Sequence, residues 1–91
     1  MPYVVFGESD IGKSDRLAGI VRIFLDLDDR GRPKREVALD ADGKVVHRFP
    51  DRRFKEGTYG MFDGTFVSLT SGEGEISKAA FEEAWNRGDK A

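Results

Sequence analysis

The sequence predicts an α+β fold: a mostly antiparallel sheet of four to six strands, in meander order, with one face covered by a C-terminal helix. Three observations carry this prediction. Residues 20–49 alternate apolar and polar side chains at period two and are broken twice by turn residues. Residues 77–88 hold a capped segment with an aromatic stripe at helical spacing. The 91 residues make one domain, 1–91, with material for a single core.

The elements follow in order. Tyr3-Val4-Val5-Phe6 is a short apolar run between Pro2 and Gly7 and reads as a strand. Residues 7–16 are polar, contain two glycines and read as a loop. Val21, Ile23, Leu25 and Leu27 then alternate with Arg22, Phe24, Asp26 and Asp28, a pattern too β-branched for a helix. Gly31 and Pro33 break this strand, and Val37 and Leu39 resume one face of the next. Asp42-Gly43 predicts a two-residue type I′ turn, and residues 44–49 return as a third strand with Val45-Val46 apolar on both faces. Residues 57–69 read as a further hairpin turning at Asp63-Gly64, and residues 70–74 as a glycine loop. Ser77 suits a helix N-cap, with Ile76 and Phe81 placed as a hydrophobic staple. Phe81, Ala84 and Trp85 share one stripe, Trp85 is expected to be the largest anchor, and Gly88 is expected to stop the helix.

Composition excludes several chemistries. Without cysteine the chain has no disulfide, no thiolate nucleophile and no cysteine metal site, which fits a reducing compartment. No apolar run approaches the roughly 18 residues of a membrane span, and no basic-then-apolar leader opens the chain, so a cytoplasmic location away from membranes is expected. The net charge of −2 is unevenly spread. Residues 1–29 carry three basic and six acidic side chains, residues 30–55 nine and four, and residues 56–91 three and seven. A basic middle between acidic ends is a feature that steers partners.

Four motifs bear on chemistry. Residues 7–14 match G-x-x-x-x-G-K-[ST], with Gly7, Gly12, Lys13 and Ser14 in the positions that cradle phosphate in a P-loop. A P-loop must open into a helix, whereas residues 15–19 run at once into a β-branched strand. Asp26 and Asp28 form a D-x-D at a strand end but lack the threonine that follows in haloacid-dehalogenase-type phosphatases, so they read as two solvent-facing aspartates. His47, the one histidine, reads as a hydrogen-bonded structural residue, and no metal or cofactor is expected. Residues 48–55 place Arg48, Arg52, Arg53 and Lys55 among Phe49 and Phe54, a pattern that could meet a nucleic-acid backbone, though the chain is net acidic.

From Val21 to Trp85 the chain resembles a group of short bacterial domains of unknown function. The carriers are the Arg35-Glu36-Val37 strand, the Asp42-Gly43 turn and the E-I-S-x-x-x-F-E-x-x-W helix of residues 75–85. The resemblance implies the fold and transfers no catalytic residue. The functional expectation is therefore a non-enzymatic protein-interaction module, immunity- or antitoxin-like. Its partner would meet a charged face of Arg22, Asp26, Asp28, Arg35, Arg48, Arg52 and Arg53. Phosphate binding at residues 7–14 and nucleic-acid binding at residues 48–55 are the alternatives.

Overall fold

The computed structural model describes residues 3–7, 19–54, 57 and 74–90. Five strands, β1 (Tyr3–Phe6), β2 (Ile20–Leu27), β3 (Pro33–Asp40), β4 (Val45–Phe49) and β5 (Gly74–Glu75), form one sheet in the order β4-β3-β2-β1-β5, with every pairing antiparallel. Helix α1 (Lys78–Arg87) packs on one face, and a 3-10 turn (Gly88–Lys90) extends it. This is the predicted α+β fold, with β2, β3 and β4 as its meander. The expected hairpin of residues 57–69 lies outside the described residues apart from Gly57. Part of the expected glycine loop, Gly74, is instead drawn into β5 against Val5.

The two meander turns are one device used twice. Asp28 N donates to Arg32 O at 2.8 Å and Gly31 N to Asp28 O at 3.1 Å; Asp40 N donates to Lys44 O at 2.9 Å and Gly43 N to Asp40 O at 3.0 Å. In each, the leading aspartate's Oδ1 also accepts two backbone N–H groups, from Arg30 and Arg32 in the first and from Asp42 and Lys44 in the second. Gly31 at φ 85° and Gly43 at φ 79° are the positions in these turns with left-handed backbone. These are three-residue loops, a type I turn closed by a left-handed glycine, and not the expected two-residue type I′ turn. Asp-Gly serves both designs, because each puts glycine where φ is positive.

Both sheet faces are apolar and buried. Tyr3, Val37, Leu39 and Val45 join Phe81 and Ala84 beneath α1, with Phe24, Ile76 and Trp85 packed against them. On the opposite face Val4, Ile23, Leu25, Leu27 and Ala38 form a second cluster. The helix therefore sits on the face that the β2 alternation marks as polar, beside Phe24 and Asp26, and not on the Ile23–Leu25 stripe. Ser77 caps α1 as expected, its Oγ accepting from Ala80 N at 3.1 Å. Phe81 is fully buried while Trp85 is only partly buried, so the deeper anchor is Phe81.

Two local features depart from the simple pattern. A register shift between Ala38 and Leu39 pairs Leu39 with Val45 and leaves Val46 bulged and 40% exposed, which resolves the two-faced Val45-Val46 pair. Gly88 ends the α-helix as expected, but with φ −63° and ψ −23°, ordinary right-handed backbone, so the stop does not use a left-handed glycine. Its role is space: a β-carbon there would lie 2.6 Å from Arg48 Cδ.

Candidate functional site

Three arginines tie α1 to the sheet. Arg35 on β3 reaches Asp26 Oδ2 through Nε at 2.8 Å and Glu82 Oε1 through Nη2 at 2.8 Å, while its Cζ stands 4.7 Å from the Phe81 ring centre and 5.1 Å from that of Trp85. Arg48 on β4 also stands over the Trp85 ring at 4.6 Å and donates from Nη1 to Trp85 O and Asp89 Oδ1, both at 2.9 Å. Its Nε reaches Asp51 Oδ2 at 2.9 Å. Arg53, in the loop after β4, donates from Nη2 to Gly88 O and Asp51 Oδ2, both at 2.7 Å. Guanidinium groups suit this position because they stack on rings and donate in the ring plane at the same time. They also meet the terminal carbonyls of a helix, where positive charge is favoured.

The electrostatics follow these contacts. Arg53's side-chain hydrogen bonds hold the Asp51 carboxyl well below the usual carboxylate range, against the opposing effect of burial, and Arg48 adds to the depression. Arg35 lowers Glu82 in the same way. Burial works against the charge on Arg35, and the Glu82 and Asp26 hydrogen bonds overcome it and raise its pKa. The Arg32 backbone N–H is the largest influence lowering Asp28.

The charged set named from the sequence is thus divided. Asp26 and Arg48 are buried and Arg35 half-buried, all three under or beside α1, so the chain's own helix meets three of the seven. Asp26 is paired and buried, not solvent-facing, and its Oδ1 has no hydrogen-bond partner among the described residues. Asp28 belongs to its turn. Arg22 is exposed toward the far end of β2, and Arg52 and Arg53 are exposed on the loop after β4. Of the phosphate-loop residues, Gly7 is buried directly after β1, while Gly12, Lys13 and Ser14 lie outside the described residues, as does Lys55. His47 is structural as expected: on the face away from α1, its Nε2 lies 3.0 Å from Glu36 Oε1, with both residues buried.

The register brings together a group that the sequence pattern left scattered. Leu27 pairs with Pro33 and Glu36 with Phe49, so the β2–β3 turn and the loop after β4 share one end of the sheet. Among residues 28–34 and 50–54, the exposed charged side chains are Asp29 on the acidic side and Arg30, Arg32, Lys34, Arg52 and Arg53 on the basic side. Backbone bonds from Asp51 N to Gly57 O and from Gly57 N to Phe54 O close the loop, and a cavity of about 340 Å³ borders Pro50, Asp51, Arg52 and Gly57. A β-carbon at Gly57 would collide with the Asp51 carbonyl, so glycine is required for this closure. Arg30, Arg32 and Lys34 were missed as site residues because Arg30-Gly31-Arg32-Pro33 reads first as a turn. The available signal was the net basic charge of residues 30–55.

Among the described residues no group of three or more His, Asp or Glu side chains could hold a metal ion, and no helix is long and apolar enough to cross a membrane. Comparison with known proteins returns no matching family model, no matching curated protein and no matching solved structure.

Proposed function

We propose that this protein is a non-enzymatic, cytoplasmic interaction module that holds an acidic segment of a partner protein at the basic end of its sheet, in the manner of immunity or antitoxin proteins. The observation that carries the reading is that Arg30, Arg32, Lys34, Arg52 and Arg53, all exposed, lie at one end of the sheet on a chain of net charge −2. A local field of one sign on an oppositely charged molecule accelerates encounter with a complementary surface and fixes orientation. Arginine predominates in the patch, and its planar fork matches carboxylates bidentately. The loop carrying Arg52 and Arg53 is held by its backbone and by the 3-10 turn after α1, so the patch is presented with little ordering left to do on binding.

Capture from native lysate, with and without nuclease, tests this reading when the R30E/R32E/R52E variant is run beside the original chain. The expected result is one stoichiometric protein that survives nuclease and is lost on charge reversal. Capture that nuclease abolishes would transfer the surface to nucleic acid. Capture indifferent to the three reversals would remove this end of the sheet from consideration.

A further inference from the structure

We infer that Asp51 is a built-in competitor for the partner: its carboxylate occupies the Arg53 fork that an acidic partner would take, so Asp51 sets the affinity of the basic end. This rests on the reading of that end as an acidic-segment site.

The geometry supports the inference in three ways. First, the Arg53–Asp51 contact reproduces how a foreign carboxylate would be held. Arg53 Nε lies 3.1 Å from Oδ1 and 3.2 Å from Oδ2, and Nη2 lies 2.7 Å from Oδ2. Both arms of the fork face one carboxylate, the bidentate mode in which guanidinium recognises acids. Second, the two arginines that share Asp51 differ in access. Arg48's side chain is 10% exposed and is anchored on the other side by Trp85 O, Asp89 and the Trp85 ring. Arg53's side chain is 47% exposed. Of the two, Arg53 is the one an incoming carboxylate can reach from solvent. Third, the exchange strands no buried charge. The Asp51 side chain is 9% exposed and would be costly to leave bare, but Arg48 Nε and Nη2 hold Oδ2, both at 2.9 Å, and remain when Arg53 departs. Among the described residues, the acceptors that lose an Arg53 side-chain donor are both Asp51 oxygens and Gly88 O; Oδ2 keeps Arg48, and Oδ1 keeps the Arg53 backbone N–H at 3.0 Å. Because Arg53 and Arg48 hold the Asp51 carboxyl so far below its usual range, the competitor stays ionised throughout neutral and mildly acidic conditions, and proton uptake does not relieve it.

The test is fluorescence-anisotropy titration of a labelled glutamate-rich peptide, at low salt, against the original chain, Asp51→Asn, Asp29→Asn and the double variant Asp51→Asn/Arg53→Ala. Asp29 is an exposed carboxylate at the same end, so its substitution changes the charge equally without releasing Arg53. Asp51→Asn should bind about two- to fivefold tighter than the original chain, the size expected from removing a partly exposed ion pair. Asp29→Asn should give a smaller gain, and Arg53→Ala should cancel the gain in the Asp51→Asn background. Equal tightening by Asp29→Asn and Asp51→Asn would overturn the competitor role while leaving the basic end intact as a site. A peptide that binds none of these proteins, or binds regardless of R30E/R32E/R52E, would overturn the reading of the basic end and the competitor with it. Should Asp51→Asn not fold, the original chain still decides: side-chain NMR must show the Arg53 Nε and Asp51 carboxyl resonances moving together on peptide addition, with Arg48 Nε nearly still. Arg53 Nε unmoved at saturating peptide would overturn the inference.

Discussion

Replacing Gly88 by alanine sets two effects of opposite sign against each other. The backbone there, φ −63° and ψ −23°, suits alanine, and helical propensity alone favours the substitution by about 0.5–1 kcal/mol. The added β-carbon, however, would lie 2.6 Å from Arg48 Cδ and 2.9 Å from both Nε and Nη1. Arg48 cannot yield cheaply, because its guanidinium is fixed by Asp51, Trp85 O and Asp89 and stacked on Trp85. Displacing it costs one or two charge-assisted hydrogen bonds at about 1.5–3 kcal/mol each, partly offset by new contacts with water. The net expectation is a loss of about 1–3 kcal/mol, or roughly 4–8 °C in melting temperature per kcal/mol for a domain of this size. Urea unfolding followed by far-UV circular dichroism measures it. The cycle is completed with Arg48→Met, in which Gly88→Ala should become neutral or stabilising by up to about 1 kcal/mol, since the obstacle is gone. A higher urea midpoint for Gly88→Ala in the original background would refute the reasoning: the glycine would then not be needed as a seat for Arg48.

Three further outcomes follow from the packing. Phe81→Ala should cost about 3–5 kcal/mol and Trp85→Ala less, the reverse of their order by size, as judged from urea midpoints. His47→Ala should cost about 1–3 kcal/mol by removing the imidazole beside the buried Glu36 carboxyl, with His47→Gln recovering part of the loss if its amide reaches Oε1; equal midpoints for His47→Ala and the original chain would contradict the pairing. Acid should destabilise the protein. Asp28, Asp51 and Glu82 are all held below their ordinary range in the folded state, so the unfolded chain takes up protons first, and stability should be level above about pH 5 and fall as pH drops through the carboxylate range. A urea midpoint that holds or rises between pH 5 and pH 3 would argue against these ion pairs.

The parts of the fold legible in the sequence were those in which neighbours along the chain decide the outcome. Alternation marked β2 and β3, and Ser77 with Ile76 and Phe81 marked the start of α1. What was not legible depended on groups far apart in sequence. Nothing local in Asp26, Arg35 or Arg48 says whether they face water or a helix. Arg35 meets Glu82 across 47 residues and Arg48 meets Trp85 across 37, and those contacts turn a polar strand face into a docking face for α1. With both sheet faces apolar, periodicity could place side chains on alternate sides without saying which side takes the helix. The helix stop at Gly88 was legible but not its reason: a glycine at a helix end serves backbone freedom in most helices, and only the incoming Arg48 reveals that here it serves volume. The basic end emerged only with the strand register, which sets Arg30 and Arg32 at the same end of the sheet as the loop of Arg52 and Arg53.

The bulge at Val46 has a consequence for how this molecule meets copies of itself. Among the described residues β4 is the outermost strand on its side of the sheet, and a flat outer strand invites a neighbouring chain to add its own. Slipping the register between Ala38 and Leu39 bends that strand and breaks the even row of amide and carbonyl groups needed to template another. The same irregularity that seats Val45 in the core therefore blunts the edge, and with it a route to fibrous self-association when the protein is concentrated.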